Sequence, residues 1–554
     1  MFSIGISCYY HDSSLCLFKD GKLIFACEEE KFTGVKHDYS FPKNVLNYVT
    51  KKYSLTKENV EVVCFYEDVE LKSQRVKEYS KKQLLTKPLL SIRRVWESYR
   101  NRRELKKLLP NISDNIFFSK HHHSHLYYSS FSSPYKTSAV VSIDGVGEYD
   151  TTTISKYDGG VLDVETISSY PHSLGLFYSA MTSFLGFKPN EGEYKVMGLT
   201  SYGNTNIKLI NKVSELIKFE NGEIICNLKY FNWHDSDKVM YNYELSKLLG
   251  LLPRTPDEKI KKSHKDLSYA VQKVYENVLF DLLDYVGKKY KTSNLCLGGG
   301  CAYNGLANGK IYRNTGFKKV WIPPAPSDAG SSIGAVINYY VNKGINVTIP
   351  NTPFLGPSYN INSKSKKRLG DRKTMYLSDK NLYRIVAKQI KKGKVVGWFR
   401  NEIEFGARAL GNRSIIADPT NPKMKDRINK MVKKREGFRP FAPMVTKERQ
   451  HEFFIMNDDL RYMNQVVEVR DSYKDIFVST THVDGTARVQ TVYKDNDIHN
   501  LLREFELLTS YPVLLNTSFN IKDKTMVLTP QDALNTFDTT DIDVLVLDNI
   551  IIFK

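Results

Sequence analysis

Four of the chain's 12 histidines fall within five positions of the stretch SKHHHSHLYYSS, residues 119–130. On a helix, His121 and His125 stand at i and i+4 on one face, the spacing at which two imidazoles share one cation. His122 and His123 then point elsewhere and read as supporting or surface groups. The pair alone also fits a solvated polar turn, because a metal site needs a third and fourth ligand. Acidic glycine turns offer them: Asp144 in SIDGVGE and Asp328 in PSDAGSS. Two imidazoles, two carboxylates and open positions suit iron(II), manganese or zinc.

Other stretches carry different chemistry. GGGCAYNGLANGK, residues 298–310, follows a predicted strand and opens a helix. Its backbone N–H groups could cradle phosphate, with glycine allowing close approach, although a tight strand-to-helix turn has the same composition. EFGARALGNRSIIADP (404–419) and KKREGFRPFAP (433–443) gather Arg408, Arg413, Lys433, Arg435 and Arg439 beside Gly and Pro, and NTSFN (516–520) adds Ser518 and Asn520. Cations on loops, interleaved with aromatic residues and Pro, read as a phosphate or adenylate clamp, since the guanidinium fork matches phosphate oxygens.

The elements that position these groups are legible from periodicity. SIGIS, SLCLF and KLIFACEEE read as strands, with Asp20 and Gly21 as a tight hairpin turn. A second such hairpin at 138–167 points to an internal duplication. Residues 265–290 and the stretch after Asp328 read as helices, as do 92–99, where Ile92, Val95, Trp96 and Tyr99 are spaced as a core-facing stripe. Residues 346–375, rich in Pro, Asn, Ser and Lys, read as a linker. A second α/β domain then follows, with a helix near 380–392 and strands KVVGWF and VLLNTSF. At 554 residues more than one core is required. The expected boundaries are 1–345, 346–375 and 376–554.

The net charge is +19. Between Lys72 and Lys107, 13 basic residues stand against three acidic ones, and six of the 13 are Arg. That is either a solvated face or a polyanion footprint, with Arg93, Arg94, Arg100 and Arg102 as contacts to DNA or another polyanion. Seven scattered cysteines without CxxC spacing fit neither a disulfide framework nor a zinc ribbon. No apolar run is long enough to span a membrane and none resembling a signal precedes His11 and Asp12, so a cytoplasmic protein without a membrane partner is expected.

Taken together, YYHDSS, EEEKFTGVKHDYSFP, HHHSH, IDGVGE, PHSLGLFYSAMTSFLGFKPNEGEYKVMGL, LGGGCAYNGLANGK, EFGARALGNRS, KKREGFRPFAP and PVLLNTSFN resemble, in order and nearly end to end, the ATP-dependent O-carbamoyltransferases that tailor nodulation factors, antibiotics and toxins. The resemblance implies an α/β protein with an N-terminal duplicated actin/hexokinase-type (ASKHA) domain. It also implies a C-terminal twisted-sheet α/β domain similar to threonylcarbamoyl-adenylate synthase. It implies that ATP, with magnesium, and carbamoyl phosphate yield carbamoyl-adenylate at Lys433, Arg435, Ser518 and Asn520. His121, His125, Asp144 and Asp328 would hold a divalent metal, iron(II) in the family, and Gly298, Gly299, Gly300, Asn304 and Asn308 would face the nucleotide. His11 would lie beside the acceptor hydroxyl and act as base near neutrality, a hydrogen bond to Asp12 being its plain structural alternative. The chain departs from the family at HHHSH and Ala407, where HHLSH and Pro are usual. The acceptor stays open between a sugar, glycan or natural-product hydroxyl and a hydroxymethylated pyrimidine in DNA. A non-enzymatic nucleotide-binding protein is the remaining reading, and it needs none of these groups together.

Overall fold

The computed structural model describes all residues except 84–86, 237–238, 360, 362–368, 371 and 434–438. The chain divides into two compact units, residues 1–29 with 39–351 and residues 30–38 with 352–554.

The first unit holds two five-stranded sheets of the same plan. Strands β1 (Phe2–Ser7), β2 (Ser14–Lys19), β3 (Lys22–Glu28), β4 (Val60–Phe65) and β5 (Ile116–Phe118) run in the order β3-β2-β1-β4-β5. Asp20 (φ 49°) and Gly21 (φ 80°) close the first hairpin, both in the left-handed region that a two-residue turn between twisted strands requires. The small hairpin β9 (Ile217–Glu220) and β10 (Glu223–Cys226) stands apart. The second sheet comprises β6 (Thr137–Ile143), β7 (Asp150–Asp158), β8 (Val161–Ser169), β11 (Asn294–Gly298) and β12 (Lys319–Trp321), in the order β8-β7-β6-β11-β12. In each sheet an antiparallel meander of three strands is extended by two parallel strands on the far side of the first. The duplicated α/β fold is therefore present.

Two helices join these sheets. The histidine helix His121–Phe131 follows the first sheet and packs on β6, β7 and β11 of the second. The aspartate helix Asp328–Asn342 follows the second sheet and packs on β1, β2 and β4 of the first. The helices also pack on each other, and glycine sets how closely. A Cβ at Gly334 would stand 1.7 Å from the Ser124 carbonyl oxygen, and one at Gly330 2.0 Å from that of Ala325. On the sheet side, a Cβ at Gly5 of β1 would meet the Ser332 carbonyl oxygen at 2.0 Å.

The second unit is built on an eight-stranded sheet. Its strands are β13 (Thr374–Tyr376), β14 (Val396–Phe399), β15 (Arg413–Ala417), β16 (Ala442–Thr446), β20 (Gln490–Val492), β21 (Val513–Ser518), β22 (Val544–Leu547) and β23 (Ile550–Phe553). They run in the order β13-β23-β22-β14-β15-β21-β16-β20. Side chains alternate between two cores: Val396, Trp398 and Ile416 pack with helices Asp379–Lys391 and Asp497–Thr509, while Phe399 and Ile415 pack with helix Pro530–Asp538. A further small sheet of β17 (Phe454–Ile455), β18 (Val467–Val469) and β19 (Thr486–Ala487) has its own aromatic core.

Three features depart from, or add to, the sequence reading. Residues 30–38 lie in the second unit, where Phe32 packs on Ile403, Ala409, Met526 and Leu528. The first unit extends to residue 351, inside the stretch read as a linker. The expected core stripe of helix Pro88–Leu108 is exposed: Ile92, Trp96 and Tyr99 are 60%, 57% and 58% accessible. The helix turns its other side inward, through the Ser98 hydroxyl to Ser73 (2.9 Å), the Arg102–Glu70 ion pair and buried Leu105. All seven cysteines are free, and no helix among the described residues is long and apolar enough to cross a membrane.

Gly334→Ala should force the two helices apart against backbone rather than a yielding side chain. We expect a loss of about 3 kcal/mol or more, read as a lowered thermal midpoint, whereas the same change at Gly316, which faces open space, should leave it within about a degree or two.

Candidate functional site

The helix-on-helix contact brings the four sequence-predicted ligands together. His121 and His125 sit one turn apart, Asp144 ends the loop edge of β6, and Asp328 opens the aspartate helix. Their ligand atoms all lie within 4.8 Å of one another, and all four residues are buried. His121 Nε2 and His125 Nε2 are 3.1 Å apart, each 3.0 Å from Asp144 Oδ2 and 3.6 Å from Asp328 Oδ1.

The supporting contacts orient each donor. Asp144 Oδ1 accepts the N–H groups of Gly145 (2.7 Å) and Gly300 (3.3 Å), which leaves Oδ2 facing the imidazoles. Ser331 Oγ lies 3.0 Å from His125 Nδ1, so that His125 presents Nε2 inward. The Glu148 carboxylate accepts the backbone N–H groups of both His121 (2.9 Å) and Asp68 (2.6 Å), pinning the start of the histidine helix to the start of helix Val69–Gln83. His122 turns away to Thr153 Oγ1 at 3.1 Å, as a supporting group.

Electrostatics make this donor set unstable as bare groups. Burial and the nearby Asp144 charge push the Asp328 carboxyl up to about 7, although His121 works the other way. Asp144 is held well below the usual carboxylate range by its two histidine partners in spite of burial. Two imidazole Nε2 atoms at 3.1 Å can face each other only if one donates a proton to the other. Asp328 Oδ2 and His121 Nδ1 find no hydrogen-bond partner among the described residues. A divalent cation relieves these conflicts, because neighbouring donors each about 2.1 Å from one ion stand about 3 Å apart. The residues present therefore fit a metal.

The glycine run lies beside this cluster. Gly299 adopts φ 83°, and a Cβ there would stand 2.2 Å from the Ile143 carbonyl oxygen; a Cβ at Gly298 would meet Ser129 Oγ at 2.5 Å. Gly300 supplies the N–H to Asp144 already described. Asn304 caps the next short helix and exchanges two side-chain hydrogen bonds with Gln272, while buried Asn308 donates to the Ala302 carbonyl. His11 Nδ1 is 2.9 Å from Asp12 Oδ2 and Nε2 is 2.9 Å from the Asn190 carbonyl. Burial opposes protonation, but Asp12 outweighs it and raises the imidazole to about 10. Asp12 thus moves the imidazole above the near-neutral range that its type led one to expect.

Two residues at this site are not singled out from the sequence, although Tyr10 stands within the YYHDSS motif. Tyr10 is 38% exposed, and its hydroxyl stands 3.6 Å from the Cβ position of Gly145. Arg75 lies over the Tyr170 ring at 5.3 Å, and its guanidinium makes no hydrogen bond or ion pair among the described residues. Helical counting inside a strongly basic segment could not single it out.

In the second unit, Lys433 is 3% exposed, and its ammonium donates to the carbonyl and side-chain oxygens of Ser518 and Asn520. Arg435 lies outside the described residues. Arg408 and Arg439 are half-buried on their loops. Buried Glu404 shapes the EFGARALGNR loop by accepting the N–H groups of Leu410, Asn412 and Arg413, while Asn516 and Gln490 hold its carbonyls. Arg413 departs from the clamp reading. It is fully buried over the Phe399 ring, and its guanidinium donates to the carbonyls of Arg400, Asn401 and Asn412, so no face is presented to a phosphate.

Comparison with known proteins adds a family. Residues 3–337 match the family described as Carbamoyltransferase N-terminus, and residues 387–554 match Carbamoyltransferase C-terminus. The chain is 31% identical over 573 residues to nodulation protein NolNO of Sinorhizobium fredii, covering 99% of this chain and 79% of the relative. It is 36% identical over 597 residues to the uncharacterized protein sll1178 of Synechocystis, covering 100% and 96%. Among solved structures, component A of Acidaminococcus fermentans (R)-2-hydroxyglutaryl-CoA dehydratase covers 62% of this chain and 98% of its own, with a TM-score of 0.35 and 15% identity. HypF of T. kodakarensis covers 63% and 48%, with a TM-score of 0.33 and 11% identity.

Two measurements test the cluster. Titrating manganese or zinc into metal-free protein at neutral pH should release protons, seen as a dependence of the calorimetric heat on buffer ionisation, because the ligands bind only when deprotonated. Ser331→Ala should weaken metal affinity by about tenfold while His125→Ala abolishes stoichiometric binding.

Proposed function

The chain belongs to the carbamoyltransferase family, and on that premise we propose that it makes carbamoyl-adenylate from carbamoyl phosphate and ATP and passes the carbamoyl group to an acceptor hydroxyl. The observation that carries this reading is the convergence of His121, His125, Asp144 and Asp328 in a chain whose two halves both match the family.

Carbamate itself is a poor acyl donor, since its leaving group would be oxide or amide. In the proposed first stage, water hydrolyses carbamoyl phosphate to carbamate and phosphate, and a carbamate oxygen attacks the α-phosphorus of ATP to expel pyrophosphate. Lys433, with Arg408 and Arg439, neutralises the phosphates as this mixed anhydride forms. Ser518 and Asn520, which hold the Lys433 ammonium, set where that charge lies. In the second stage the acceptor oxygen attacks the carbamoyl carbon, AMP leaves, and the hydroxyl proton passes to the His11–Asp12 pair. The Gly298 to Gly300 run, whose Gly299 and Gly300 N–H groups are taken by the Pro326 carbonyl and Asp144 Oδ1, lets the backbone approach the bound molecule closely, and the Arg75 guanidinium faces its anionic part. A divalent metal held by His121, His125, Asp144 and Asp328 would supply Lewis-acid polarisation of a carbamoyl or phosphate oxygen. Iron(II) fits the family resemblance; manganese and zinc fit the same donors.

For the acceptor, we favour a sugar, glycan or natural-product hydroxyl, because the named relatives that span most of the chain are nodulation proteins. Mass spectrometry of candidate hydroxyl compounds, hydroxymethylated DNA included, should find the carbamoyl mass gain on the small-molecule class.

Two kinetic outcomes follow from the assignment. AMP release should require both ATP and carbamoyl phosphate, and Lys433→Met should reduce adenylate formation by about 10² to 10³-fold; unchanged formation would remove Lys433 from the site. A base raised to about 10 works only once deprotonated. Transfer should therefore keep rising with pH beyond neutrality toward that value, and His11→Ala should remove the rise and cost about 10² to 10⁴-fold in kcat.

A further inference from the structure

Helix Pro88–Leu108 presents to solvent a face of unusual composition. Wound at 3.6 residues per turn, Leu89, Ile92, Trp96 and Tyr99 share an arc of about 120° with Arg93, Arg100, Arg103 and Lys107. The four apolar side chains are 84%, 60%, 57% and 58% exposed. Over the whole helix seven basic residues stand against two acidic ones, a net charge of +5. The opposite arc anchors the helix to its own unit through Ser98, Arg102 and Leu105. The exposed arc is ordered within itself: the Arg100 guanidinium lies 5.3 Å over the Trp96 ring, and Arg93 pairs with Glu97 at 2.9 Å.

We propose that this face docks on the surface of an anionic lipid bilayer. An exposed apolar stripe on a monomer marks an interaction site, and the cations on both sides of it select a negatively charged partner. Leu89 and Ile92 gain from burial among acyl chains, Trp96 and Tyr99 suit the headgroup level, and the long Arg and Lys side chains reach back to lipid phosphates. A nucleic acid would use the arginines and stack on Trp96, but its phosphates offer nothing to the two aliphatic residues. A two-fold contact with a second copy would set this cationic helix against itself. The docking is peripheral. The sequence reading of no membrane partner rested on the lack of a spanning segment, a different property from a surface-binding face.

The test uses the whole protein with phosphatidylcholine vesicles and with mixed phosphatidylcholine–phosphatidylglycerol vesicles. Sedimentation with the mixed vesicles alone, weakening with salt, is expected. Tryptophan emission should shift to the blue on binding, and Trp96→Phe should remove the shift, because Trp233 and Trp398 are buried and half-buried Trp321 lies on β12 of the second sheet with its indole N–H held by Ser132 Oγ at 3.1 Å. The triple change Arg93→Gln, Arg100→Gln and Arg103→Gln should lower vesicle affinity by about 100-fold. Ile92→Ser with Trp96→Ser should abolish it while leaving far-ultraviolet circular dichroism and carbamoyl-phosphate-dependent AMP release intact. The proposal is overturned if neither vesicle binds, or if the serine variant binds as well as the parent. Tighter binding to duplex DNA than to vesicles at equal salt would reassign the face to nucleic acid. A dimer that the serine variant dissolves would reassign it to a second copy. None of these results bears on the carbamoyl chemistry, which the AMP measurement reads separately.

Discussion

The close approach of two helices governs the first unit. Gly330 and Gly334 let the aspartate helix lie against the histidine helix at a separation that any Cβ would prevent, and Gly5 lets the same helix lie against β1. The consequence is chemical. At that separation Asp328 Oδ1 reaches within 3.6 Å of both imidazole Nε2 atoms, and Ser331, one turn further along, reaches His125 Nδ1. A wider interface would leave a pair of histidines without their second carboxylate. Interiors this dense transmit small displacements directly, so ligand geometry and helix packing are one property.

The duplicated architecture explains why the ligands come from distant parts of the chain. Each sheet's parallel edge feeds a helix that packs on the opposite sheet, and the two crossing helices meet between them. His121 and His125 come from the first half, Asp328 from the second, and Asp144 from the turn after β6. Glu148 and the Gly298 to Gly300 run add backbone N–H contacts that tie these pieces to one another. Burial then raises the energetic stakes, since a carboxylate pair and an imidazole pair in a desolvated cluster cannot all hold their ordinary protonation states. A divalent cation fits this donor set.

The second unit handles charge differently. Lys433 is buried but fully engaged by oxygens of Ser518 and Asn520, and Arg413 is buried and engaged by three carbonyls. The two residues look alike in sequence, each a cation beside glycine in a loop-rich stretch. Arg413 lies on a central strand and braces the EFGARALGNR loop, whereas Lys433 ends a helical turn opposite the SxN pair. Position in the sheet, and not residue type, separates the two environments.

Much of this was written in local sequence. Imidazoles at i and i+4, aspartates in glycine turns, the Asp20–Gly21 hairpin and the repeated meander each depend on neighbours a few residues away, and their spacing pointed to helix, turn or candidate ligand, the ligand set as a whole coming from the family resemblance. Tertiary structure decided what depends on distant partners. It put residues 30–38 in the second unit and surrounded Arg413 with carbonyls. It set Asp12 2.9 Å from His11, where the carboxylate raises the imidazole, and left the Ile92–Trp96–Tyr99 stripe facing solvent. Periodicity states that a helix has an apolar face, but the element that covers it, or the lack of one, is fixed by contacts far along the chain, where sequence spacing carries no distance.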